Sequence, residues 1–293
     1  GVLMTVLNVI LNVVLIAGFG PVPAFGTLGA AMGTVIAGAV ITVVALWSFF
    51  RDRWVVAFHR GMHWGPDWEI IRELFRFGLP TGIQGVAMNV AGVALYSFIG
   101  SLERSAEAQA VYAVSYNQLF SFITWTSVGL MGATAAVAGQ NLGARKPERT
   151  VKAVRVAARI GLGVAALVGV FFLTIPRDLL GLFGMEQATV LDLGAQLLRY
   201  LSLSGLLVTV ALAYTGGLQG TGDTKSPLYI SVVSQIVVPL GLCATLTILR
   251  GLHPSDIWLA IVLGHATRAT LSFLVFRREG WRDIEVHIGG ERP

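Results

Sequence analysis

The chain is built from long apolar runs separated by short charged stretches. Eight runs approach the ~20 residues that carry a helix across a hydrocarbon core: residues 2–18, 27–50, 78–100, 108–139, 157–175, 193–218, 226–249 and 256–276. They do not alternate apolar and polar positions, as barrel strands must. The pattern predicts an all-α membrane protein, a polytopic helical bundle of eight transmembrane helices. Residues 51–77 are too charged to span. Their later part, WGPDWEIIRELFRFGLP, has Pro66 near a helix start and Trp68, Ile71, Leu74 and Phe75 at helical spacing. That predicts an amphipathic helix lying in the interface. The expected organisation is two helices in 1–50, an amphipathic linker at 51–77, six helices in 78–276 and a tail at 277–293. A weak repeat pairs the first two spans with the last two, setting Asn8 and Asn12 near Ser234 and Val238. Gly29, Ala30, Ala31 and Gly33, then Gly82, Gly85 and Gly92, read as helix-packing positions.

Composition sharpens this picture. The chain is 55% hydrophobic and 13% charged, with mean hydropathy +0.73; soluble domains carry about 25% charged residues. The net charge of +5 and pI near 9.7 do not point to nucleic acid, because the basic residues sit at the ends of apolar runs. Residues 139–159, GQNLGARKPERTVKAVRVAAR, hold Arg145, Lys146, Arg149, Lys152, Arg155 and Arg159 against one acid, Glu148. Arg51, Arg53, Arg60, Arg72 and Arg76, then Lys225, then the basic tail, fall on the same side. The opposite loops hold Arg104, Arg177 and Arg250. This asymmetry predicts that both ends of the chain are cytoplasmic, in a plasma (inner) membrane. Cys243 is the single cysteine and excludes an internal disulfide. The chain opens at Gly1 inside an apolar run, with no initiator Met or signal-peptide pattern, and is expected to be N-terminally truncated.

The candidate chemistry is sparse. His59, His63, His253, His265 and His287 lack metal-ligand spacing. Asp223 in GTGDTKSP lacks the P-loop order and is expected to shape a turn, with Pro227 in the helix turn that follows. No clustered polar constellation supports an enzyme. An ionisable group inside the membrane is a functional candidate by default, yet every acid falls in a loop, at a helix end or in the tail. Arg268 is the one charge deep in a span, roughly 13 Å in at 1.5 Å per residue. It is expected either to snorkel or bond carbonyls, or to act in gating or anion contact. Asn8 and Asn12, at i and i+4, turn both amides to one helix side. Their bland role is interhelical hydrogen bonding. Gln84, Asn89, Asn117 and Gln118 are candidates for a cavity receptive to cationic amphiphiles. Tyr96, Tyr112, Tyr116 and Trp125 are read as interfacial anchors.

GQNLGARKPERT, LQGTGDTKSPLYIS, LNVILNVVLIAGFG with GTLGAAMGTVIAG, and FGLPTGIQ stand in an order that resembles the multidrug and toxic compound extrusion (MATE) transporters over nearly the whole chain. The subgroup it resembles most is the DinF-like one. The resemblance implies a twelve-helix, two-lobe transporter with alternating access, of which this chain would hold the last two helices of the N-lobe and the whole C-lobe. It implies export of cationic amphiphilic drugs or toxins in exchange for H⁺ or Na⁺, with no other cofactor, membrane lipids as neighbours and a monomer as the expected state. Sodium-coupled relatives carry acids on the seventh and tenth helices; the matching regions around Met88 and Tyr214 lack them. The resemblance instead assigns Asn8, Asn12 and Thr34 to an N-lobe ion or substrate site, with a partner acid expected upstream. The alternatives are a lipid-linked precursor flippase of the same superfamily and a non-transporting membrane scaffold.

Overall fold

The computed structural model describes residues 2–51 and 65–284. The chain divides into two compact units, Gly1–Pro66 and Asp67–Pro293. His59, His63, His287 and the basic residues Arg53, Arg60 and Arg292 lie outside the described residues.

The first unit is a helix pair, α1 (Val2–Ala17) and α2 (Thr27–Phe50). A bridge between Phe19 and Val22 closes the connection, and Phe25 N–H donates to the Leu15 carbonyl at 2.9 Å. The helices run antiparallel and approach closely because α2 presents glycines to α1. A Cβ at Gly29 would overlap the Leu15 carbonyl, and one at Gly33 would fall on the Asn12 side-chain oxygen. The remaining faces are apolar and exposed, as helices in hydrocarbon require. The 16 residues of α1 rise about 24 Å. Among the described residues, seven longer helices, of 24 to 39 residues, are long and apolar enough to cross a membrane.

The second unit opens with α3 (Trp68–Gly100). Asp67 caps it, accepting from the backbone N–H of Glu69 and Ile70 at 3.0 and 3.2 Å. Among the described residues, no separate interfacial helix precedes the third span. The amphipathic stretch and the span form one 33-residue helix running through Pro80. Pro80 removes one N–H, which a membrane helix tolerates when neighbours re-satisfy the freed carbonyl.

Next come α4 (Ser105–Tyr112) and α5 (Ser121–Gly143), joined through a π-helical segment Ala113–Leu119. They are followed by α6 (Pro147–Thr174), the short α7 (Pro176–Gly181) and α8 (Ala188–Gly220). A second π-helical segment, Val233–Val237, lies between α9 (Lys225–Val232) and α10 (Val238–Arg250). α11 (Pro254–Arg277) and a 3₁₀ turn, Gly280–Asp283, complete the described chain. Several helices extend beyond their apolar runs. α6 begins at Pro147 rather than 157, and α8 at Ala188 rather than 193, because a helix keeps its hydrogen bonds after its side chains leave hydrocarbon.

α8 is the centre of this unit and packs against α5, α6 and α11. Gly216 and Gly220 lie against the Met131 and Ala135 carbonyls of α5, where a Cβ would collide with backbone. Small residues thus set the helix separation. Asp223 shapes the turn after α8, accepting from Ser226 N–H at 3.0 Å.

Candidate functional site

In the helix pair, Asn8, Asn12 and Thr34 form one hydrogen-bonded chain. Asn12 Nδ2 donates to Asn8 Oδ1 at 3.2 Å, Asn8 Nδ2 donates to Thr34 Oγ1 at 3.2 Å, and Thr34 Oγ1 donates to the Ala30 carbonyl at 3.1 Å. The i,i+4 spacing on α1 supplies the first link, and Gly33 lets α2 approach for the second. Asn12 Oδ1 is left buried with no donor within the described residues. The chain can therefore offer an oxygen to a cation or to a protonated group.

The second unit holds a cavity of about 180 Å³ between its two π-helical segments. Tyr116 and Asn117 come from the first, Gln235 from the second, and Tyr96 from α3. A π turn inserts an extra residue and shifts the side chains beyond it around the helix, which is why such turns recur at functional sites. Asn117 Nδ2 donates to the Tyr96 hydroxyl at 2.7 Å. The tyrosines correct an expectation. Tyr112 is 3% exposed and buried in the core, not anchored at an interface. It meets Tyr96 edge-on at 4.9 Å and stacks on Tyr116 at 4.8 Å, and Tyr116 reaches Phe120 at 5.3 Å. The i,i+4 spacing of Tyr112 and Tyr116 was the signal in the sequence. Gln235 was not singled out there, although a polar amide inside an apolar run is the same signal that marked Gln84.

The other candidates are distributed differently. Gln84 is buried and ties three elements: its Nε2 donates to Ser231 Oγ at 2.6 Å and to the Pro227 carbonyl at 3.3 Å, and Gln219 donates to its Oε1 at 3.3 Å. Asn89 donates back to the Gly85 carbonyl of its own helix, and Gln118 is exposed. Neither lines the cavity. Arg268 is 7% exposed, lies inside the bundle and does not snorkel. It forms no hydrogen bond or ion pair among the described residues, and it lies within electrostatic reach of Tyr116. His265, one turn earlier on α11, stacks on Phe120 at 5.9 Å.

These features define a polytopic helical membrane protein whose polar groups are few and gathered at helix contacts. The MatE family model matches residues 80–245, more than half of the chain. The chain belongs to the MatE family, that of the multidrug and toxic compound extrusion transporters. It is 30% identical over 273 residues to a probable multidrug resistance protein NorM of Mannheimia succiniciproducens, covering 91% of this chain and 58% of the relative. It is 27% identical to the multidrug export protein MepA of Staphylococcus aureus, covering 79% and 49%. An outward-facing multidrug resistance MATE family transporter of the MOP superfamily superposes with a TM-score of 0.84 at 24% identity, covering 95% of this chain and 60% of that one. A MOP superfamily transporter from Pyrococcus furiosus, described by the reverse polarity of its binding pocket, gives 0.83 at 24%, covering 95% and 61%. The chain thus spans about half to three-fifths of the length of these relatives.

Proposed function

We propose that the protein is a secondary active antiporter that exports cationic amphiphilic compounds in exchange for H⁺ or Na⁺ by alternating access. Beyond family membership, the observation that carries this reading is the chain Asn12–Asn8–Thr34. It places a buried amide oxygen, without a donor among the described residues, on a largely apolar helix pair. Such an oxygen costs stability unless something periodically fills it, and an ion that enters and leaves with each cycle does so. Export of a cation then exchanges one positive charge for another. The aromatic cavity beside the π turns adds a surface suited to cation–π contact. The names of the relatives, multidrug resistance and multidrug export proteins, agree with a small-molecule cargo. In this reading the protein works as a monomer in the plasma (inner) membrane, with both ends of the chain cytoplasmic.

The test is efflux of a cationic dye by the full-length protein. Accumulation should fall only while an ion gradient exists, and Asn12→Leu should abolish the gradient-driven part at unchanged expression. Efflux that persists after both proton and sodium gradients are collapsed would sink the antiport reading. Full activity in Asn12→Leu would reduce the helix-pair chain to packing.

One observation favours a second cargo class. Arg268 places a buried positive charge near the wall of the cavity, which suits an anionic amphiphile, as a lipid-linked precursor flippase would carry. Parallel efflux of an anionic dye decides between the two.

A further inference from the structure

The basic residues of α6 gather at one recess. Lys152, Arg155 and Arg159 follow one another at i, i+3 and i+7, so they share one face of the helix. With Glu148, Glu279 and Arg282 they line a recess of about 470 Å³ between α6 and the 3₁₀ turn Gly280–Asp283. Arg282 is already committed to Glu279, at 2.8 Å. Lys152, Arg155 and Arg159 form no ion pair among the described residues. The opposite rim differs: Arg104 pairs with Glu107, Arg177 with Asp192 at 2.6 Å, and Arg250 with Asp256 at 2.7 Å. Arg199, which lines the recess on that rim with Arg104 and Arg177, also has no ion pair among the described residues, so that recess keeps one unpaired cation where the α6 recess keeps three.

The surroundings identify what the charge faces. Arg155 and Glu279 also line an adjoining hollow of about 330 Å³, whose floor is Tyr214, Phe273 and Phe276. Tyr214 meets both phenylalanines edge-on at 5.4 Å, and Phe276 stacks on Trp281 at 5.0 Å. Trp281 Nε1 donates to the Phe276 carbonyl at 2.8 Å, which holds the 3₁₀ turn against α11. The hollow thus has a wall of packed aromatic rings. Beside it, Val156 and Ile160 on α6 and Leu274 on α11 are exposed. Unpaired cations on one side and exposed aliphatic groups with Phe273 on the other match what a boundary between headgroups and acyl chains would require.

We infer that this recess binds an anionic phospholipid of the surrounding leaflet, its phosphate held by Lys152, Arg155 and Arg159 and its upper acyl chain laid against Tyr214 and Phe273. A free phosphate would use the same cations and ignore the aromatic hollow. The inference needs only that the chain is embedded in a bilayer, so it stands apart from the antiport reading.

The experiment uses full-length protein in nanodiscs of phosphatidylglycerol or phosphatidylcholine, with lipid retained after mild detergent extraction counted by native mass spectrometry. Wild type should retain phosphatidylglycerol preferentially. Each neutralising change, Lys152→Gln, Arg155→Gln or Arg159→Gln, should weaken retention about fivefold. Glu148→Gln removes a neighbouring acid and should strengthen it, a gain that misfolding does not produce. Equal retention of the two lipids by wild type overturns the site, as does unchanged preference in the triple variant. Displacement of the lipid by millimolar glycerol 3-phosphate assigns the recess to a soluble phosphate and overturns the lipid. Arg177→Gln, at the opposite rim, should leave retention unaltered.

Discussion

Gly33 shows how a single missing side chain governs the helix pair. Its Cα lies against the Asn12 amide, and a methyl group there would occupy the position of Oδ1. Gly33→Ala should therefore push the Asn12 side chain away and lower gradient-driven efflux on the order of tenfold, while expression is kept. Unchanged efflux would mean that Oδ1 takes no part in coupling. Gln84 raises the opposite issue, because its hydrogen bonds run to protein groups on α8 and α9. Interhelical bonds in membranes average about 0.6 kcal/mol. Gln84→Leu should then cost about 1–2 kcal/mol in thermal unfolding and leave the efflux KM near its wild-type value. A large KM change at normal stability would return Gln84 to the cargo path. Arg268→Gln removes the buried charge near Tyr116 and should improve transport of a cationic dye while impairing an anionic one. If both dyes respond alike, the charge has a structural purpose.

Among the elements, α8 and the two π-helical segments decide the architecture. Gly216 and Gly220 bring α8 onto the α5 carbonyls, so Gly220→Leu forces backbone apart rather than a flexible side chain. Overpacking of this kind costs about 1–3 kcal/mol or more, measurable as a lowered unfolding temperature in detergent. Gly163 on α6 has open space around its Cα and is the matching control: Gly163→Leu should be silent. The π segments act on the cavity through Tyr116, Asn117 and Gln235. Tyr116→Ala takes away a cavity wall that Tyr116→Phe retains. A raised KM for cationic dye in the alanine variant alone is the expected result. Equal loss in both would point to the hydroxyl instead of the ring.

At the scale of the whole molecule, the proposed orientation rests on where Lys and Arg are placed, whether or not an acid pairs with them. The α6 rim keeps unpaired cations, and the opposite rim pairs Arg104, Arg177 and Arg250 with acids. The positive-inside rule counts the basic residues themselves, which are more numerous at the α6 rim. Cys243 is the single cysteine and is buried, so introduced cysteines can be labelled against a low background. Lys146→Cys and Arg278→Cys should react with an impermeant maleimide only in opened cells, and Leu252→Cys in intact ones. The reverse pattern would invert the topology.

The sequence by itself determined the class, the apolar spans and the family, since hydropathy, basic loops and small-residue motifs are local properties of the chain. Spacing paired Asn8 with Asn12, and the family resemblance alone added Thr34 to them. Two kinds of information lay beyond it. The reach of each helix past its apolar run is set by backbone hydrogen bonding, so a hydropathy reading divided α3 at the point where it is continuous. Partnership is set by packing. Only the tertiary structure decided that Gln84 binds neighbouring helices, that Tyr112 lies in the core, that Arg268 is enclosed by the bundle, and that the α6 cations stand unpaired beside an aromatic hollow. Each of these depends on residues far apart in the chain, which hydropathy and spacing do not report.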